Sequence, residues 1–321
     1  MSRERGDAVS DTRYVYICSA GHSGSTLLDL LLGSHSRIAS LGEISHLPKN
    51  LALDTRCTCG APVRQCAVWR EVTRRLDAAL GTRIDVDPYS LHLGYPLAVD
   101  VVDRGHQTRG YLLRRKLVLA LAWLKYRHGV AIPGALLRGF ATGIDNNLVL
   151  YDTVRDVLGV DTVVDSSKSY LKAVALYRKR PQHVRIILLS RDGRGIMFSH
   201  RKRRSSPLAG VHLWKRYYAR ALPLLHANVP EQAWLHVRYE DLAADPDAEL
   251  QKICAGLGMA FEPAMLDFHA HQHHITNGNN MRFTAGATIA PDTQWQNGLS
   301  SRELWEFERL AGSLNRWLGH A

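Results

Sequence analysis

Tyr14-Val-Tyr-Ile-Cys18, Ser19-Ala-Gly21-His22-Ser23-Gly24-Ser25 and Thr26-Leu-Leu-Asp-Leu-Leu-Leu32 follow one another without a break. The first segment is a short apolar run and reads as a buried strand. The last reads as a helix closed by Gly33. Between them, two glycines permit a tight turn with inward-pointing backbone N–H groups, and Ser23, Ser25 and Thr26 add hydroxyl donors. Strand, Gly-rich turn and helix N-terminus in succession form an anion cradle, because the first N–H groups of a helix lack intrahelical partners and its dipole favours negative charge. A Walker-type loop would insert Lys after the last glycine, but here Gly24 is followed directly by Ser25. The missing lysine argues against a nucleotide kinase or triphosphatase. Taken alone, the loop also reads as an ordinary Gly-rich βα turn.

Moving outward, Thr162-Val-Val-Asp165, Val184–Leu189 and Trp234–Arg238 read as strands. Tyr170–Arg180, Gly195–Arg203, Leu208–Leu225, Pro246–Leu257 and Ser301–Leu318 read as helices. Strands alternating with helices predict an α/β fold with a parallel sheet. Residues 50–108 are less regular, with one helix over Val68–Leu80. Gln107–His128 and Leu136–Leu158 read as helical and extend this region into a substrate-facing cap. At about 150 residues per domain, 321 residues allow one large domain or two modest ones. The expected organisation is a flexible start (1–12) and a single domain (13–321), with a helical or irregular insertion over about 50–160. The fold class is a P-loop-like α/β sheet flanked by helices.

At 45% hydrophobic and 22% charged, the chain is not a disordered one. Its longest charge-free apolar stretch in the middle of the chain, Leu117–Leu124, is far short of the ~20 residues that span a bilayer. The polar start lacks the apolar region of a secretory signal. A cytoplasmic protein without a membrane span is expected. Forty-one Lys plus Arg against 30 Asp plus Glu give a net charge of +11. Between Asp165 and Arg220 there are 15 bases and 2 acids, so these 56 residues carry +13 and the remainder −2. Such a segment points to an anionic partner. Nucleic acid is one candidate, but stacking aromatics are not interleaved with the bases until Trp214-Lys-Arg-Tyr217-Tyr218. Arg201-Lys-Arg-Arg204 reads as a solvated helix face.

Three further motifs stand in order after the Gly-rich loop: Val164-Asp165-Ser-Ser-Lys168, Leu189-Ser-Arg191-Asp192-Gly193-Arg194-Gly-Ile-Met-Phe-Ser199, and Val237-Arg238-Tyr239-Glu240-Asp241-Leu242 with Asp245-Pro246. Together they resemble the sulfotransferases that use 3′-phosphoadenosine 5′-phosphosulfate (PAPS), over about residues 14–266. The resemblance implies PAPS as co-substrate. It implies that Gly21, His22, Ser23, Gly24, Ser25 and Thr26 hold the 5′-phosphosulfate. Arg191 and Ser199, eight residues apart, would clamp the 3′-phosphate, where a guanidinium fork and a hydroxyl suit a dianion. Tyr239 of the Tyr-Glu-Asp-Leu element joins the cofactor site. Arg191 also reads independently as a surface ion pair with Asp192.

The family usually has Arg or Lys where His22 stands, and a histidine is charged only part of the time near neutral pH. Lys168, near the bridging oxygen by the resemblance, then gains importance as a cation for the leaving phosphate. In Leu41-Gly42-Glu43-Ile44, Glu43 follows the first helix and a short strand, and it resembles the Gly-Glu element in which tyrosylprotein-type members carry a catalytic glutamate. It is the candidate base for an acceptor hydroxyl, a structural carboxylate being the other reading. Glu43, Lys168 and His22 are thus the candidate catalytic residues, and no metal is required. The acceptor would be a small molecule, glycan or lipid-linked metabolite, and nucleic acid is not expected as a partner. The family's C-terminal loops close over PAPS, and Trp295 is a candidate there.

Cys57-Thr-Cys59-Gly60…Cys66, followed by Trp69, offers three thiols, with His46 as a possible fourth ligand. Zinc sites usually show C-x2-C pairs, so this spacing is off-pattern, and a turn with buried thiols or a redox-sensitive pair is expected. His269-Ala-His271-Gln-His273-His274 lacks accompanying acids and reads as an exposed loop. Five cysteines in a chain this long are no disulfide framework.

Overall fold

The computed structural model describes residues 11–95, 108–283 and 289–320. Five strands form one sheet: β1 (Tyr14–Ser19), β2 (Ile38–Ser40), β3 (Thr162–Asp165), β4 (Val184–Ser190) and β5 (Trp234–Arg238), in the order β2-β3-β1-β4-β5 with every pair parallel. Parallel neighbours need crossovers, and the crossovers cover both faces with helices, which is why β1 and β4 are largely apolar on both faces. Tyr14, Tyr16 and Cys18 enter one core and Val15 and Ile17 the other. In β4, Ile186 and Leu188 divide from Ile187 and Leu189 in the same way. The expected α/β fold with a parallel sheet is the observed one.

The helices are α1 (Ser25–Leu32), α2 (Leu47–Ala52), α3 (Ala67–Leu80), α4 (Arg109–His128), α5 (Gly134–Leu158), α6 (Tyr170–Lys179), α7 (Gly193–Lys202), α8 (Pro207–Asn228), α9 (Tyr239–Ala244), α10 (Pro246–Leu257), α11 (Trp295–Gly298) and α12 (Ser301–Trp317). α1 is buried all round and packs with α10 on one face of the sheet. Its single acid, Asp29, accepts from Ser40, and burial pushes its carboxyl up to about 8, which keeps it protonated at neutral pH. The other face carries α3, α5, α6, α8 and α12, with Trp69, Tyr151, Leu171, Trp214 and Phe307 inside.

The described residues between 50 and 160 include α3 to α5. α3 packs on α5, and α4 on α8. The Tyr14 hydroxyl donates to Asp152 at 2.6 Å and the Tyr151 hydroxyl to Asp165 at 2.5 Å, which fastens α5 to β1 and β3. Gln107, the expected start of α4, lies outside the described residues. Of the expected flexible start, residues 1–10 also lie outside them. Thr12 is buried, donating to Leu257 O at 3.0 Å and accepting from Thr162 Oγ1 at 2.7 Å, so ordered structure begins before residue 13. Among the described residues no helix is long and apolar enough to cross a membrane.

Candidate active site at the carboxyl edge of the sheet

Because all five strands run the same way, their carboxyl ends share one edge, the edge at which open α/β sheets bind ligands. Across it stand, in sheet order, Glu43 after β2, Lys168 after β3, the Gly-rich loop after β1, Arg191 after β4 and Tyr239 after β5. The structure therefore brings together residues that lie up to about 200 positions apart in the chain.

The loop enters α1 through Gly24, whose φ is 86°. A Cβ there would lie 2.4 Å from the Tyr239 ring, so glycine is required by both conformation and space. Gly24 is the residue before α1, and no side chain caps the helix. Gly21 is exposed, with open space where its side chain would be. Ser25 is buried in the first turn. Thr26 Oγ1 accepts from Asn279 N at 3.1 Å. Ser23 is fully buried, its Oγ 3.4 Å from the Tyr218 hydroxyl, which itself donates to Leu189 O at 2.7 Å and accepts from Ala20 N at 3.3 Å. Ser23 therefore braces the loop from behind through Tyr218, a residue the sequence reading did not connect with it.

His22 adopts φ 67°, a left-handed conformation rare outside glycine. Burial, reinforced by Arg203, His200, Lys168 and Arg191, brings its pKa down to about 4. It is therefore neutral at physiological pH, and its ring offers hydrogen bonding and no positive charge. Its ring lies edge-on to His200 at 5.3 Å.

Lys168 is likewise left-handed, φ 69°, and its ammonium forms an ion pair with the Glu43 carboxylate. Both side chains are about one-fifth exposed, each at 21%. The turns that carry them are interlocked. Ser45 N donates to Ser167 Oγ at 3.0 Å, and Lys172 Nζ donates to Ser45 Oγ at 3.1 Å and Asp165 Oδ2 at 2.7 Å. Asp165 also accepts from Ser167 N at 2.7 Å. Lys172 and Asp165 are almost fully buried, and breaking such a pair costs about 3–5 kcal/mol. Lys172, which the sequence reading passed over, is thus a structural clamp beneath Lys168 and Glu43.

Arg191 is nearly buried. It donates to His22 O at 3.0 Å and to Asp292 Oδ2 at 2.9 Å, and its guanidinium lies 4.6 Å from the Tyr239 ring centroid. Its acidic partner is Asp292. Asp192, the partner in the surface-pair reading, is held by Arg194 at 2.5 Å and caps α7. Arg194 in turn lies 4.3 Å from the Trp295 ring centroid, so the C-terminal segment carrying Asp292 and Trp295 lies over this end of the edge. Ser199 is half-buried on α7. Nothing in its sequence surroundings singles out Asp292.

The histidine run does not act as one exposed loop. His273 is buried, its Nε2 3.1 Å from Phe268 O, and His274 faces the cysteines, with Nδ1 3.3 Å from Cys66 Sγ. His46 lies 3.9 Å from Glu43 Oε2, on the Glu43 side of the site.

Residues 136–263 match the model of the Sulfotransferase family. That stretch includes Lys168, Arg191, Ser199 and Tyr239. Among solved structures, the chain is similar to the sulfotransferase domain from the curacin biosynthetic pathway, with 18% identity and a TM-score of 0.52 over 94% of this chain and 97% of that one. It is also similar to the sulfotransferase domain from the Synechococcus PCC 7002 olefin synthase, with 21% identity and a TM-score of 0.50 over 98% of each chain. No curated protein matches it. Residues 136–263 thus match the Sulfotransferase family model, and nearly the whole chain shares the fold of these two sulfotransferase domains.

Proposed function

We propose that this chain is a sulfotransferase that moves a sulfuryl group from PAPS to a hydroxyl of a small-molecule, glycan or lipid-linked acceptor. The observation that carries this reading is the edge itself. A Gly-rich, uncapped helix start lies between a lysine–glutamate pair on one side and a nearly buried arginine stacked on a tyrosine on the other. That is the arrangement a nucleotide with anions at both ends calls for. The N–H groups at the start of α1, which no side chain caps, suit the 5′-phosphosulfate. Arg191 and Ser199 suit the 3′-phosphate, once Arg191 exchanges the Asp292 carboxylate for it.

Sulfuryl transfer resembles phosphoryl transfer: in-line, loose and dominated by positioning and electrostatics. The acceptor oxygen forms a bond to sulfur while the bond from sulfur to the 5′-phosphate oxygen breaks. Glu43 takes the acceptor's proton. As its charge is neutralised it loosens its hold on Lys168, whose ammonium then meets the charge developing on the leaving oxygen. The ion pair thus couples base and leaving-group cation in one movement. His22, being neutral, contributes a hydrogen bond to the sulfonate and no charge.

Incubation with 35S-labelled PAPS and a metabolite extract, followed by chromatography, reads turnover without the acceptor being named. Glu43→Gln is expected to keep binding adenosine 3′,5′-bisphosphate and to lower transfer by about 10²-fold or more. Unchanged transfer would remove Glu43 as the base.

A further inference from the structure

Cys57, Cys59 and Cys66, together with His274 from a distant part of the sequence, bring three sulfurs and one imidazole nitrogen within 4.8 Å of one another, outside the machinery described above. His274 Nδ1 lies 3.3 Å from Cys66 Sγ and 4.0 Å from Cys57 Sγ. A tetrahedral Zn2+ with bonds of about 2.3 Å to sulfur and about 2.0 Å to nitrogen spaces its ligand atoms roughly 3.5–3.8 Å apart. The four atoms are therefore within small side-chain adjustments of that tetrahedron. None of the cysteines is in a disulfide.

The scaffold holds these ligands by bonds of its own. Cys57 N donates to Ala61 O and Gly60 N to Cys57 O, both at 2.9 Å, and Gly60, at φ 97°, completes a tight turn that carries Cys57 and Cys59 together. Cys66 is the residue before α3, where no side chain caps the helix and the dipole favours a thiolate. His274 O accepts from Trp69 Nε1 at 2.8 Å. On either side, His273 O accepts from Thr58 Oγ1 at 2.5 Å, and Ile275 exchanges bonds with Thr58: its N donates to Thr58 Oγ1 at 2.9 Å and its O accepts from Thr58 N at 3.1 Å. The off-pattern C-x-C spacing is offset by this second segment, which delivers the fourth ligand from 208 residues beyond Cys66.

We propose that Cys57, Cys59, Cys66 and His274 bind one Zn2+ as a closed, four-ligand structural site. Three thiolates and one imidazole in a tetrahedron select a soft-tolerant, geometrically undemanding ion, and four protein ligands leave no open position for catalysis. Cys57 and Cys66 are buried, while Cys59 and His274 are half-exposed and give the ion its way in. The bound group carries one net negative charge. The ion's role follows from where the segment beyond His274 goes. Asn277 O lies close over Gly42, and Asn279 N donates to Thr26 Oγ1, so the segment abuts both the Glu43 turn and the first turn of α1. Zinc would pin the irregular 57–66 insertion to the strap that lines the candidate active site.

The test is metal content of the full chain, expressed with zinc in the medium, purified reduced and without chelators. Elemental analysis is expected to give one zinc per chain. Replacement by Co2+ is expected to give a thiolate-to-cobalt charge-transfer band and the intense visible bands of tetrahedral cobalt. Cys59→Ser and His274→Gln should lose the zinc, and Cys254→Ser, a cysteine elsewhere in the fold, should keep it. If those two variants fail to fold, the wild type still decides. A chelator should lower its melting temperature, and added Zn2+ should restore it. Substoichiometric zinc with no cobalt–thiolate band, a disulfide among the three cysteines under these conditions, or full zinc retention in folded Cys59→Ser and His274→Gln would each overturn the proposal.

Discussion

His22 occupies a position at which a permanent cation would add to the field on an anion, yet its surroundings keep it uncharged. Burial comes first among the causes, and four basic neighbours add to it. The consequence for stability has a definite sign. Between the ordinary value of 6.5 and about 4, the unfolded chain takes up a proton that folded His22 refuses, so stability is present above pH 6.5 and is lost as pH falls towards 4. His236, also brought down to about 4 by burial, acts in the same direction. Melting temperature measured from pH 6.5 to 4 should therefore fall less steeply in His22→Gln than in the wild type. Parallel curves for the two proteins would mean that His22 titrates normally. That a histidine stood in this loop was legible in the sequence. Its neutrality was not, because the residues that depress it, His200 and Arg203, come from α7 and the residue after it.

At the scale of elements, the ones that could be read were those long enough to show a period or apolar enough to be buried strands. β3, β5 and α10 have the boundaries that their patterns predict. Helices α2 and α9 have six residues each, less than two turns, and offer no periodicity to detect. In the segment that begins at residue 289 and runs into α11, the sequence points only to Trp295, yet Asp292 holds Arg191 at 2.9 Å and lies 3.7 Å from Lys202. The pull of Arg191 and then Lys202 outweighs burial and holds the Asp292 carboxyl below its ordinary value, so it stays charged. On the proposed function, a 3′-phosphate would have to displace it. Asp292→Asn removes the competitor and should tighten adenosine 3′,5′-bisphosphate binding by about 1 kcal/mol, roughly fivefold in Kd, as read by titration calorimetry. Equal or weaker binding in the variant would show that the carboxylate does not compete for Arg191.

For the molecule as a whole, the order β2-β3-β1-β4-β5 turns a set of scattered motifs into one edge. The motifs and their order were legible because each sits at a strand end, where a turn signal follows an apolar run. Their side-by-side arrangement was not legible, since strand order is set by which crossovers pack and no local pattern encodes it. The same holds for the charge. The +13 segment between Asp165 and Arg220 looked like a stripe for a polyanion. In the fold it is divided. Lys172 is spent on Asp165 and Arg194 on Asp192, while Lys168 and Arg191 face the edge from either side of the Gly-rich loop. On the proposed function, this edge receives a nucleotide with phosphates at both its 3′ and 5′ positions. The most direct measurement is thermal denaturation with adenosine 3′,5′-bisphosphate, with ATP, and with neither, in the wild type and in Arg191→Ala. A saturating concentration of the bisphosphate is expected to raise the wild-type Tm by about 5 °C, ATP to raise it much less, and Arg191→Ala to lose the shift while melting cooperatively. No shift with the bisphosphate, or an equal shift with ATP, would contradict that function.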